Sequence, residues 1–349
     1  MDFVRTSASF PCPCCAIPTI TVQLIVTAIA LFYGQRYLLP KSFVKTKRVM
    51  FWITAIVSFL LCLLGAFLMI LHIHEEWREK AFANFFCCGA KPNLLDEYRC
   101  QILTESNNVH GRVMEFGPGP GTNFKCFQPP NNNTSSSSNS EDDDDEKKEE
   151  TIRLNITRRV NITQYVAIEP NIHFRQAMED EKKLRNLTFP LTFRGIPGEA
   201  VHNPQGNNDN SSSQVVDELF DTIIATHVLC SVSAPFQVLS NVEKFLSVDG
   251  KFVFLEHVSA ETGTLRSYLQ QMIAPILYII ADGCQFRDTQ KLLQNYFEPI
   301  NNNNNNKSDI YYDIDITSFD APAPMDFLRP HIRGVITKKK RDKTRRENS

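Results

Sequence analysis

Residues 113–123 read VMEFGPGPGTN, an apolar run closed by Glu115 and followed by glycine at every second position, Gly117, Gly119 and Gly121. No other stretch restricts the fold as strongly. A buried strand that ends in a glycine turn and feeds a helix lets a ligand approach the backbone closely and meet unpaired N–H groups. The pattern is E-x-G-x-G-x-G. It departs from the dinucleotide fingerprint, whose third glycine falls three positions after the second, because Thr122 stands there and Gly121 arrives one residue early. A glycine-rich surface turn would carry the same letters, so the neighbouring strands must decide between the two readings.

Low-complexity segments punctuate the chain. Residues 129–150 hold runs of Asn, Ser and Asp, residues 203–213 are polar, and residues 301–306 are all asparagine. None can bury apolar surface, so all three read as disordered insertions. What remains over residues 109–337 alternates short apolar strands with helical patterns. Strands are expected at residues 112–116, 164–169, 191–194, 221–226 and 251–256, each apolar enough to be buried on both faces. Residues 308–317 and 331–337 read as two further strands, joined by a Pro-rich stretch too short for a helix and so paired antiparallel. The expected fold is α/β: a Rossmann-like parallel sheet with helices on both faces, closed by a terminal antiparallel strand pair. The nicotinamide-binding fold does not match, because its sixth strand follows a helix.

The N-terminal region has a different solvent. Residues 49–71 are 23 residues without a charge, enough to cross a hydrocarbon core with slight tilt. Residues 17–33 are apolar but carry Thr19, Thr21, Gln23 and Thr27, a weaker second segment. N-terminal membrane helices are therefore expected within residues 17–74, behind a Cys-containing start (residues 1–16) that does not resemble a cleaved signal peptide. A connecting helix is expected over residues 75–108. Residues 338–349 form a basic tail, read as a solvated end able to touch an anionic membrane surface. Its charges have no interleaved aromatic residues, so nucleic-acid binding is not expected. The ten cysteines fall in clusters and singles rather than an even framework, which reads as reduced thiols. They lack the two-pair spacing and nearby histidines of a zinc site, so no metal is expected. Arg36, Lys41, Lys45, Lys47 and Arg48 lie between the apolar segments without an acid, which favours a cytosolic linker and, with one span after it, a lumenal domain. Reduced cysteines favour a cytosolic domain, and a monotopic hairpin reconciles the two.

An acid followed by alternating glycines at the end of a first strand resembles motif I of the class I S-adenosylmethionine-dependent methyltransferases. With residues 129–160 set aside, about 16 residues separate Gly121 from Glu169, close to the spacing between a glycine loop and the acid that closes the next strand. An ionised carboxylate only accepts hydrogen bonds and can take both hydroxyls of a ribose. The runs EFGPGPGTNFK (115–125), HVLCSV (227–232), FLEHVSAE (254–261), QQMIAPILYIIADGCQFRD (270–288) and LRPHIRG (328–334) are similar to the methyltransferase-like protein seven family, membrane-anchored thiol S-methyltransferases. The resemblance implies S-adenosylmethionine as cofactor, held by Glu115, Gly117, Gly119 and Gly121 with its ribose on Glu169. It implies that Glu199 and Ala200 border the adenine, and that Thr226 and His227, after the fourth strand, close the other side. In two departures, Pro118 and Pro120 stiffen the loop, and Glu169 stands where the family has the shorter Asp.

Methyl transfer from a sulfonium is an in-line displacement, so the protein mainly positions the reactants and excludes water. A thiol with a pKa of about 8.5 supplies some thiolate at neutral pH, and no base is demanded. The sequence fixes no catalytic residue. His257 and Asp282 are candidates for a base, and each reads equally well as a structural residue. The acceptor implied by the resemblance is a small apolar thiol at an intracellular membrane, endoplasmic reticulum or lipid droplet, with the catalytic domain facing the cytosol. The apolar run 265–280 then roofs an acceptor pocket; on the plainer reading it packs on the sheet. Competing readings are methylation of a lipid or quinone oxygen or carbon, and a non-catalytic membrane-bound scaffold.

Overall fold

The computed structural model describes residues 44–88, 95–127, 160–201, 218–281, 283–302, 309–323 and 325–341. In chain order these form helices α1 (Val44–Ile73), α2 (Glu75–Cys88) and α3 (Asp96–Thr104), strand β1 (Gly111–Phe116), β2 (Ile162–Ile168), α4 (Phe174–Leu184), β3 (Leu191–Arg194), β4 (Phe220–Thr226), α5 (Pro235–Phe245), β5 (Leu246–His257), α6 (Leu265–Ile280), α7 (Thr289–Asn302), β6 (Ile310–Asp320) and β7 (Pro330–Lys340). The expected segment 17–33 and the insertions 129–150 and 203–213 lie outside the described residues.

Two compact units divide these elements, one within Met1–Phe82 plus Gln271–Gln285 and the other within Ala83–Gln270 plus Phe286–Ser349. In the first, α1 contains Ala55–Ile73, 19 residues with a mean hydropathy of 2.7, long and apolar enough to cross a membrane by length and composition. Its Leu68 and Leu71 pack with Ile279 of α6. Trp52, Phe59, Leu60 and Phe67 on the same helix are exposed.

The second unit is a seven-stranded sheet in the order β3-β2-β1-β4-β5-β7-β6. β1 pairs parallel with β2 and β4, β4 with β5 and β2 with β3. β7 lies antiparallel between β5 and β6, as the two C-terminal apolar runs require. Alternate residues serve opposite faces. Met114, Phe116, Ile223 and Phe254 pack beneath α5 and α7, against Val238, Leu239, Leu293 and Phe297. Val113, Tyr165, Ile224 and Val253 pack on the other face against Ile102, Leu103, Phe124 and Met178. Burial of both faces explains the continuous apolar strands.

Several expectations need correction. Residues 75–108 do not form one connecting helix: α2 ends at Cys88, and α3 buries Ile102 and Leu103 in the core of the sheet, so the domain starts before residue 109. Residues 338–340 are no tail but the end of β7, where Lys338 Nζ donates to the carbonyls of Glu243 and Leu246 at 2.7 and 2.8 Å. Asn301, the first residue of the asparagine run, lies in the last turn of α7 and exchanges two 2.7 Å hydrogen bonds with the backbone of Tyr312. Cys100 and Cys126 are not free thiols. They form a disulfide, because α3 and the 3₁₀ turn Thr122–Phe127 bring their Cα atoms to 4.8 Å.

Candidate functional site

The direction of chain crossing reverses between β1 and β4, and the carboxyl ends of those strands frame the crevice where open α/β sheets bind ligands. The glycine loop closes one side. Gly117, Gly119 and Gly121 all have positive φ, at 59°, 55° and 85°, a region where side chains strain the backbone. Their surroundings differ. A Cβ on Gly117 would stand 2.6 Å from Val228 Cγ2 and one on Gly121 2.9 Å from the Phe124 ring, whereas one on Gly119 meets nothing within 4 Å among the described residues. Gly117 and Gly121 are thus required by packing, whereas at Gly119 only the positive φ favours glycine. Pro118 takes the N–H groups of Gly121 and Thr122, which folds the loop into a tight turn. The expected helix after this turn is a six-residue 3₁₀ segment, Thr122–Phe127, anchored by buried Phe124 and Phe127.

Two carboxylates flank the loop. Glu169, just past β2, accepts the N–H of Gly119 on Oε2 and that of Asn171 on Oε1, both at 3.0 Å. The acid thus holds the middle glycine directly. Glu115 is buried in β1, and its Oε1 accepts from Asn123 Nδ2 at 2.5 Å. The same amide donates to Thr226 Oγ1 at 3.2 Å, tying β1 to the end of β4. Among the described residues, Glu115 Oε2, Asn123 Oδ1 and Arg99 Nε are buried polar atoms without a hydrogen-bond partner. Burial pushes the Glu115 carboxyl up to about 8, against the Asn123 hydrogen bond and the charge of Arg99, with Glu169 adding to the rise. Burial likewise lowers Arg99, which Asp96 and Glu115 oppose. An unmet carboxyl oxygen, able to ionise beside a cation, and an unmet guanidinium donor suit a zwitterionic ligand.

The other expected residues are placed as follows. Glu199 Oε1 accepts the N–H and Oγ of Ser233 and the N–H of Ala234, at 2.9–3.1 Å. It therefore serves the start of α5, while Ala200 is exposed. His227 follows Thr226 with φ of 59° and donates its N–H to Leu255 at 2.8 Å. His257 is buried at the end of β5, its ring 4.6 Å from Phe286 and 5.0 Å from His331. Asp282 lies outside the described residues.

Sequence reasoning missed Arg99, Asn123, Glu256 and His331. Glu256 is fully buried, and its carboxylate accepts the N–H groups of Val228, Leu229 and Cys230 at 3.0, 3.0 and 3.4 Å, which fixes the loop after β4. A charged letter inside an apolar strand was the available signal for Glu256, and a lone arginine before an apolar helix face for Arg99.

A family model described as a methyltransferase domain matches residues 92–299. The human thiol S-methyltransferase TMT1A is 26% identical over 228 residues, covering 65% of this chain and 70% of that protein. Human thiol S-methyltransferase TMT1B is 32% identical over 133 residues, covering 37% and 48%. Among solved structures, the plantazolicin methyltransferase BpumL with SAH aligns over 78% of this chain and 98% of its own at 10% identity, with a TM-score of 0.42, too distant to carry residues across. With the glycine loop, the two flanking acids and more than half its length inside the matched domain, the chain belongs to the methyltransferase-domain family.

Proposed function

We propose that this methyltransferase takes its methyl group from S-adenosylmethionine and delivers it to the sulfur of small apolar thiols at an intracellular membrane. Glu115 carries the reading: a buried carboxyl with one oxygen unmet among the described residues, near the end of the strand that runs into the glycine loop. The residues fit the cofactor. Glu115 Oε2 suits the ammonium of its methionine part and Arg99 the carboxylate, while Glu169 suits the ribose hydroxyls. The bound cofactor supplies an electrophilic methyl group on a positively charged sulfur. For their part, Pro118 and Pro120 hold the loop ready before the ligand arrives, Glu256 fixes the opposite wall, and the apolar layers exclude water.

The thiol acceptor is supported by the names of the two human relatives. Labelled cofactor offered with a panel of alkyl thiols, phenols and lipids tests it. Label is expected in thioethers, and label confined to phenols or lipids would overturn the sulfur reading. Anchoring through α1 with the domain toward the cytosol suits a cytosolic cofactor supply. The Cys100–Cys126 bond opposes that side, because persistent disulfides belong to oxidising compartments. Asn155-Ile-Thr157, Asn161-Ile-Thr163 and Asn186-Leu-Thr188 report the answer: no glycan is expected on any of the three, and endoglycosidase-sensitive glycan would turn the domain to the lumen.

A further inference from the structure

Three histidines meet at the carboxyl edge of the sheet, and the function described above uses none of them chemically. His227 follows β4, and His257 of β5 stands opposite His331 of β7 in the ladder. His331 Nδ1 lies 2.9 Å from the carbonyl oxygen of Arg329. A carbonyl only accepts, so this nitrogen carries the proton, and Nε2 of the neutral ring is a lone pair. That lone pair faces His227 Nε2 at 3.2 Å, and His227 must donate to it. His227 is thereby fixed as the Nε2–H tautomer, with Nδ1 left as a proton acceptor.

The loop carrying this ring is unusually well held. Glu256 takes the next three backbone N–H groups, and the His227 N–H is bonded to Leu255. A left-handed conformation at a non-glycine residue persists only where its surroundings impose it, and such strain concentrates at reacting groups. Thr226, the preceding residue, is bonded to the amide that holds Glu115, so the ring adjoins the cofactor crevice. Burial keeps both rings neutral, lowering His227 far below its ordinary value and His331 to about 4. Among their neighbours, His331 lowers His227, the Arg329 carbonyl raises His331, His257 of β5 and Arg99 of α3 lower both, and Asp320 of β6 raises His331.

We propose that His227 is the general base that deprotonates the acceptor thiol, with His331 as the positioning residue that fixes its tautomer. The proposal rests on the reading that the acceptor is a thiol. In the step, the S–H bond breaks, its electron pair stays on sulfur, and an N–H bond forms at His227 Nδ1. The products of the transfer are a thiolate and an imidazolium held as an ion pair. Because burial lowers the affinity of the His227 ring for a proton, the transfer is uphill and is completed only as the thiolate sulfur takes the methyl group, after which the proton passes to solvent.

The full chain, labelled with ¹⁵N-histidine and assigned by loss of the His227 signals in His227→Gln, tests the pair directly. Wild type should show Nδ1 of His227 unprotonated at pH 7, and His331→Asn should abolish that single tautomer. In kinetics, His227→Gln should lower kcat/KM for an alkyl thiol by about 10²-fold or more. An aryl thiol that is already ionised at pH 7, measured at saturating cofactor, should lose less than about threefold. A proton on His227 Nδ1, an unchanged alkyl-thiol rate, or equal losses for both thiols would overturn the assignment. If wild type methylates no thiol at all, the thiol reading itself fails, whereas wild-type activity with any of those results removes only the base.

Discussion

Replacing Glu115 by Gln is expected to stabilise the ligand-free protein while weakening its hold on the cofactor. Burial moves this carboxyl from 4.5 to about 8, so at pH 7 it is protonated in the folded chain and ionised in the unfolded one. A carboxyl raised by folding contributes its stability fully below its unfolded pKa and loses it as pH climbs through the folded value. At about 1.4 kcal/mol per pH unit, the loss at pH 7 is about 3 kcal/mol. Gln retains an oxygen for Asn123 Nδ2 and has no charge to desolvate. Urea unfolding followed by circular dichroism at pH 5 and 7.5 should therefore show wild type losing about 3 kcal/mol relative to the variant over that window. S-adenosylhomocysteine should bind the variant roughly tenfold to a hundredfold more weakly, the worth of one charged hydrogen bond. Parallel pH slopes for the two proteins would refute the argument, since Glu115 would then be ionised in the folded state.

Gly119→Val should leave a folded protein that has lost S-adenosylhomocysteine binding, because its Cβ enters open space and the left-handed strain costs only about 1–2 kcal/mol. Gly117→Ala, driven into Val228, should lower the melting temperature more than Gly119→Val does. Serine at both Cys100 and Cys126 should cost about 3 kcal/mol in chemical denaturation, as expected for opening a loop of this length. Leu103→Ala, at a fully buried position, should cost about 2–5 kcal/mol in the same measurement, whereas a neutral result would make α3 an accessory helix rather than part of the core.

The glycine loop, Glu169 and the C-terminal strand pair were legible because each depends on local letters at fixed spacing. The rest depends on partners distant in sequence. Asn123 and Arg99 gain meaning only when α3 and the 3₁₀ turn fold onto β1, and the same packing joins Cys100 to Cys126. β5 begins at Leu246, earlier than expected, because Asp249-Gly250 reads as a turn yet sits within a strand, Asp249 at φ of 63°. Lys338 looked like the start of a solvated tail, but its stem extends β7 and its ammonium reaches two carbonyls. His227 carried a visible chemical letter. Its tautomer could be read only once His331 and the Arg329 carbonyl were placed beside it.

The central claim is that the β1–β4 crevice holds the cofactor through a carboxyl that ionises on binding. Calorimetric titration of the full chain with S-adenosylhomocysteine, in buffers of different ionisation enthalpy, tests it most directly. Glu115 is protonated in the free protein at pH 7 and ionised beside the ligand ammonium, so binding should release about one proton, tighten as pH rises toward 8 and level off above it. Absence of binding, or binding with no proton released and no dependence on pH, would contradict the account.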